Sequence, residues 1–506
     1  MTGNAPYQCI QVCGRFLFAA QGANIHSFSL ENGNYLSTWK HLVPGTTDDE
    51  TPAVDALGDF EACAPPTKRR KIGESPDEQT ENGESKNSKS KSKSKPQSTY
   101  MIPDQPLINL LVSTLDGKFL VAVTSHDKVI RVFEHDGEGA IEQISQRTMP
   151  KRPCSILITP DGKAIMSADK FGDVYSLPLI DATESTTPTA VQSRRTTTPT
   201  LAEAKIAAAP AKTDIQYKTA ATPLTVHTAR NRVALENQMM HQASPTQKIS
   251  KDPSILSFAH TLLLGHVSLL TAISLARDSR GRAYILSADR DEHIRVSRGP
   301  PQSHVIDTFC LGHKDFVSRL CVPENKPELL VSGGGDEEIF LWDWLNGRIL
   351  ARENILRRAK EVIPNIGKVA VSGLVSAFQD RHNTTVLSVT CEKIPAIFIY
   401  EIKEPCHFEF KTTIQLAGNP LDVYFLPADP RRLVVSLDMM DCLDAAPDVL
   451  QVIGLTPESD HAYPSPKIQT NKAPDTQTLP KDDIRKLIYT NEHLRKYEGE
   501  VADQGA

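Results

Sequence analysis

Apolar residues come along this chain in short runs of about four to six, divided by polar turns. Several runs alternate, as where VIRVF at 129–133 sets Val129, Arg131 and Phe133 on one side. That period of two, repeated in strand–turn–strand units, predicts small antiparallel sheets packed face to face. The same cadence appears in FLFAAQGANIHSFSL near the start, in SADKFGDVYSL at 167–177, in TVLSVTCEKIPAIFIYEI at 385–402, and in RRLVVSLD with VLQVIGL at 431–455. A different period stands out only near the end, in DDIRKLIYTNEHLRKYEG. There Ile484, Leu487, Ile488 and Leu494 recur at helical spacing and predict one amphipathic helix.

The runs are copies of a longer unit. GH at 265–266 is followed by SADRDEHIRVS at 287–297, and GH at 312–313 by SGGGDEEIFLWDW from 332. The histidines, and likewise Asp291 and Asp336, stand roughly 45 residues apart, the length of a four-stranded propeller blade. SHDKVIRVF at 125–133 places Asp127 three residues before Ile130, as Asp291 precedes Ile294 and Asp336 precedes Ile339; SADKFGDVYSL has Phe171 there instead. Seven candidates for the third strand of a blade result. The predicted fold is all-β, a seven-bladed propeller over 1–455, followed by a polar tail at 456–506 with the short helix.

Two stretches break the pattern. Residues 44–100 pass through PPTKRRKIGESPDE to SKNSKSKSKSKPQS, and 181–254 are rich in Thr, Ala, Pro and Ser. Both have little to bury and are expected to be long disordered insertions. With 506 residues, length alone allows three domains, but the repeat favours one large unit. A net charge of −6 argues against coating nucleic acid by bulk positive charge. Nine cysteines without a CxxC pair give neither a disulfide framework nor a zinc ribbon, and no metal site is expected. No run reaches the roughly 18 apolar residues of a membrane span, and no membrane partner is expected.

His313, Ser332, Asp336 and Trp342 are spaced for a buried hydrogen-bonded chain across one blade, with the Asp holding the His, the His the Ser, and the Ser the indole N–H. His266, Ser287 and Asp291 are expected to repeat it in the preceding blade. A His–Ser–Asp set also suggests a hydrolase, but no GxSxG elbow exists and repetition signals structure. The one glycine run, Gly333–Gly335, precedes Asp336 between two strands rather than a strand and a helix, so it does not read as a nucleotide-binding turn. No catalytic residue and no cofactor of the chain's own is expected.

LLGHVSLLTAIS, SADRDEHIRVSR, FCLGHKDFVSRL and GGGDEEIFLWDW resemble the WD-repeat non-catalytic subunit of the tRNA (guanine-N7-)-methyltransferase, and SADKFGDVYSLPL resembles that family's third blade. Ser297, where an ordinary WD repeat carries Trp, belongs to the most specific stretch. The resemblance implies a scaffold that binds and stabilises a separate methyltransferase as a heterodimer, so that N7-methylguanosine is formed in tRNA. It implies too that S-adenosylmethionine and the catalytic residues lie on the partner, with tRNA met through the complex. Arg290, Glu292, His293 and Arg295 become candidate partner-binding residues, with Lys170 and Asp173 as a weaker extension. Lys68, Arg69, Arg70 and Lys71, in a stretch expected to be flexible, form a candidate nuclear-import cluster, and the nucleus is the expected location. A nuclear WD scaffold serving ribosome assembly or chromatin is the alternative, since a propeller alone does not choose.

Overall fold

The computed structural model describes residues 2–41, 107–180, 258–380, 383–440, 448–455, 467–474 and 478–496. Both expected insertions, and with them the KRRK cluster, lie outside the described residues.

The described strands form eight sheets, seven of them blades whose strands follow chain order from inside to outside. Blades 1 to 6 have four strands each, beginning at Tyr7, Ile108, Pro153, Leu270, Val317 and Val371; blade 7, beginning at Asn419, has three. Residues 181–257 fall between the third strand of blade 3, Asp173–Pro178, and its fourth, Thr261–Gly265. The second strands are buried on both faces, which is why Phe119–Thr124 and Thr384–Cys391 read as nearly continuous apolar and β-branched runs. Outer strands such as Ile306–Leu311 keep much of their surface in water.

Seven apolar clusters fill the gaps between successive blades. Leu286, Val296, Leu330 and Trp342 join blades 4 and 5, and Val331, Leu341, Leu387 and Phe398 join blades 5 and 6. Tyr7, Ile10, Leu17, Val434 and Leu450 join blade 7 to blade 1 and close the ring. There Asp422 Oδ2 accepts the N–H of Ile10 at 2.8 Å. Burial raises this carboxyl to about 6, against its backbone hydrogen bonds and the pull of Arg319. The closure also uses the chain's far end, since Thr2–Asn4 pairs antiparallel with Thr478–Pro480.

Among the described residues two helices interrupt the sheets: α1, Ile355–Val362, after blade 5, and α2, Lys481–Ile488, in the tail. The sequence pattern predicted one helix reaching Leu494, but α2 stops at Ile488 and a short 3-10 turn, Glu492–Leu494, follows. Tyr489 ends the helix because its buried hydroxyl donates to Asp438 Oδ2 at 2.6 Å. Thr490 and Asn491, both weak helix formers, then let the chain extend.

Candidate functional site

In blade 5, His313 holds Nδ1 2.6 Å from Asp336 Oδ2 and Nε2 2.7 Å from Ser332 Oγ, while the Trp342 indole N–H donates to the same hydroxyl at 2.8 Å. All four residues are buried. The donors follow from the carboxylate: Asp336 can only accept, so the neutral imidazole carries its proton on Nδ1, and its Nε2 accepts from the Ser332 hydroxyl, which in turn accepts the Trp342 N–H. A hydroxyl consumed in this way, away from solvent, is no nucleophile. The glycine run has an equally structural cause, because a Cβ at Gly334 would fall on the Phe316 carbonyl.

Blade 4 corrects one expectation. His266 Nε2 meets Ser287 Oγ at 2.8 Å, but the carboxylate beside its Nδ1 is Asp289, at 3.8 Å, and not Asp291. Asp289 Oδ1 also accepts the N–H groups of Asp291 and His293 and so shapes the turn. Asp169 does the same in blade 3, accepting from Phe171 and Asp173. The signal was present as SAD at both 167–169 and 287–289, whereas blade 5 has the sterically required Gly334 at that place. In blade 2 the third-strand Arg131, at the place of Arg295, bonds both Thr124 and Asp127.

The predicted partner-binding residues divide by depth. Arg295 is 8% exposed, and its guanidinium donates to Ser297 Oγ at 2.8 Å and to the Gly265 carbonyl at 2.9 Å. By register Ser297 stands at the place of Trp342 in blade 5 and Arg295 at that of Phe340, and the hydroxyl that replaces the indole receives the guanidinium. Arg290 donates from Nε to the Leu494 carbonyl at 2.7 Å. Asp291, Glu292 and His293 face outward on the turn, with Glu292 in the left-handed region at φ 75°. A hydrogen bond from Ser268, then Lys496, holds the Asp291 carboxyl below its ordinary range. The accessible part of this turn is therefore acidic rather than basic.

Lys170 and Asp173 occupy the neighbouring turn of blade 3. Asp173 Oδ2 accepts the Tyr175 hydroxyl at 3.3 Å, while Lys170, exposed overall, stands at the mouth of the central channel, where partial desolvation and then the charge of Arg152 lower its pKa. Exposed apolar side chains connect the two turns. Phe171 lies beside Gly172, whose carbonyl accepts the His266 N–H; Val267 follows, and Leu311 pairs across the strands with His293. Phe309 continues the strip down the outer strand. Large apolar side chains gathered at one rim mark an interaction surface more often than singly scattered ones do.

On the same face the tail crosses blades 7, 6, 5 and 4. After Tyr489 on Asp438, the N–H groups of Asn491 and Glu492 donate to the two oxygens of Glu392 at 2.8 and 3.2 Å. Arg495 bonds Asp315 and the carbonyls of Gly335 and Val369. Lys496 reaches Asp291 Oδ1 at 3.0 Å and Glu292 Oε1 at 3.3 Å. Beneath lies a cavity of about 460 Å³, lined by the inner strands of all seven blades and capped by Lys486–Asn491 and Leu494. No sequence signal foretold this strap, because its contacts are to single carboxylates and carbonyls far away in the chain.

Among the described residues one group has metal-ligand spacing, His41, His126 and Asp127. Its carboxylate is already held by Arg131, Thr124 and the Val129 N–H, so a cation there would compete with a guanidinium.

A family model described as the tRNA methyltransferase TRM82 WD40 domain matches residues 17–451. A protein of Sclerotinia sclerotiorum named tRNA (guanine-N(7)-)-methyltransferase non-catalytic subunit trm82 is 40% identical over 462 residues, covering 86% of this chain and 85% of the relative. One of the same name in Aspergillus fumigatus is 35% identical over 446 residues, covering 86% and 81%. Among solved structures, the crystal structure of RRP9 WD40 repeats superimposes with a TM-score of 0.51 at 13% identity, over 90% of this chain and 96% of that one. At that identity the likeness speaks for the fold alone.

Proposed function

This chain belongs to the family of non-catalytic subunits of the tRNA (guanine-N(7)-)-methyltransferase, and from that premise we propose that it binds and stabilises a separate catalytic subunit as a one-to-one heterodimer. The observation that supports docking most is the rim of blades 3 and 4. There Phe171, Val267 and Leu311 stand exposed around the acidic turn of Asp291 and Glu292. A partner covering this rim gains apolar burial and adds its binding free energy to the stability of both chains.

S-adenosylmethionine and the reacting groups belong on the catalytic subunit in this reading, and tRNA is met through the complex. The His–Ser–Asp sets are used up inside the blades, and the glycine run packs against Phe316. Lys68, Arg69, Arg70 and Lys71 serve nuclear entry, tested by replacing all four with Ala in a fluorescent fusion; an unchanged nuclear signal would refute that role. The likeness to solved WD40 repeats carries no more than the fold and so favours neither this reading nor the alternative of another nuclear WD scaffold.

The test is co-expression with the catalytic subunit, followed by the mass of the purified complex and by N7-methylguanosine formation on tRNA. The expected outcome is a stoichiometric complex that outperforms the catalytic subunit alone. Partners that are ribosomal or chromatin proteins, with no methyltransferase among them, would overturn the reading.

A further inference from the structure

The acidic turn of blade 4 holds two carboxylates around one cation that the protein itself supplies. Lys496 bridges Asp291 and Glu292, and all three side chains remain in contact with water, at 42%, 45% and 37% exposure respectively. The strap thus has two parts of different character. Its inner part is fastened by the buried Tyr489–Asp438 bond, by the paired N–H groups on Glu392 and by the three contacts of Arg495. Its tip is held by Arg290 on a carbonyl and by ion pairs open to solvent, which hold weakly and weaken further with salt.

We propose that the Asp291–Glu292 turn is a receptor for a basic side chain of the partner, occupied in the free protein by Lys496, so that the strap's tip competes with docking and is released by it. The inference rests on the docking reading above. Lys496 covers the charged half of the rim and leaves Val267 and Leu311 bare. A partner that buries those apolar groups also strips water from Asp291 and Glu292, and unpaired carboxylates so treated are costly. It must therefore present a lysine or arginine there or retain Lys496. Retention is disfavoured because the backbone that carries Lys496 occupies the very rim the partner must cover, and only Arg290 on the Leu494 carbonyl and the two exposed ion pairs hold it there. The partner segment that fits is thus apolar with a basic residue at its edge.

The experiment measures affinity of the full-length chain for the catalytic subunit at low and moderate salt, with Lys496→Ala and with Asp291→Lys combined with Glu292→Lys. Removing the internal competitor should tighten binding two- to fivefold, and the double reversal should weaken it at least tenfold. Trypsin cleavage after Lys496 in the wild-type chain should accelerate in the complex. If the reversal weakens binding while Lys496→Ala leaves it unchanged or loosens it, or if the complex protects Lys496, competition is wrong although the docking face stands. If both variants bind as wild type does, or no complex forms, the docking face fails, and the competition with it.

Discussion

His313 Nδ1 and Asp336 Oδ2 stand 2.6 Å apart in the interior of blade 5, and the pair ties the loop that enters the blade to the turn between its second and third strands. Asp336 also accepts the Lys314 N–H at 2.8 Å, so one carboxylate fixes both the imidazole and the backbone beside it.

His313→Ala should therefore cost about 2–4 kcal/mol, because it leaves Asp336 Oδ2 without its buried donor and the Ser332 hydroxyl without its buried acceptor, at two close bonds at once. His266→Ala should cost less, since Asp289 stands 3.8 Å from that imidazole and keeps its bonds to the turn. Thermal denaturation of the isolated chain checks the order, and equal losses would contradict it.

Asp422 gives a pH dependence of definite sign. Its carboxyl is raised to about 6 by burial, so the folded protein favours the protonated form. The contribution is complete below the unfolded value of about 4 and is lost as pH rises through about 6, an effect of about 3 kcal/mol. Asp422→Ala loses the two backbone bonds at every pH, yet the gap in melting temperature between it and the wild type should narrow from pH 4.5 to pH 8. A gap that widens over that range would show the carboxyl to be lowered instead.

Arg290 and Arg295, alike as sequence, should separate in experiment. Arg295→Glu buries a carboxylate against the Gly265 carbonyl and should lower the melting temperature by several degrees. Arg290→Glu frees the Leu494 carbonyl and should leave the propeller intact while exposing the strap to protease. Similar melting temperatures for the two variants would remove the structural role given to Arg295.

The repeat of His, Ser, Asp and Trp made the propeller and the blade 5 network legible, since spacing alone fixes which positions meet across a blade. The turn acid of blade 4 was not legible from spacing. Aligning Asp291 with Asp336 assumes the same turn in both blades, whereas the close approach of Phe316 forces Gly334 in blade 5 and leaves room for Asp289 in blade 4. Arg295 read as surface charge because a strand alternates its faces; its burial depends on the Ser297 hydroxyl and the Gly265 carbonyl, which receive its guanidinium. The helical period of the tail announced α2 but not its docking place, which depends on Glu392, Asp438 and Asp315, contributed by three different blades.

The isolated chain should give no heat on titration with S-adenosylmethionine in a calorimeter, because the one glycine run is packed against Phe316 and ends no strand before a helix. Micromolar binding by this chain without a partner would contradict the assignment of the methyl donor to the catalytic subunit.

The central claim, a non-catalytic propeller that docks its methyltransferase on the rim of blades 3 and 4, is tested most directly by the affinity of the purified catalytic subunit for this chain carrying Asp291→Lys and Glu292→Lys, measured beside the melting temperature of the same variant. The account predicts a wild-type one-to-one complex, at least tenfold weaker binding by the variant, and a melting temperature within about 2 °C of wild type, since both side chains are on the surface. Wild-type affinity in the double reversal would contradict it.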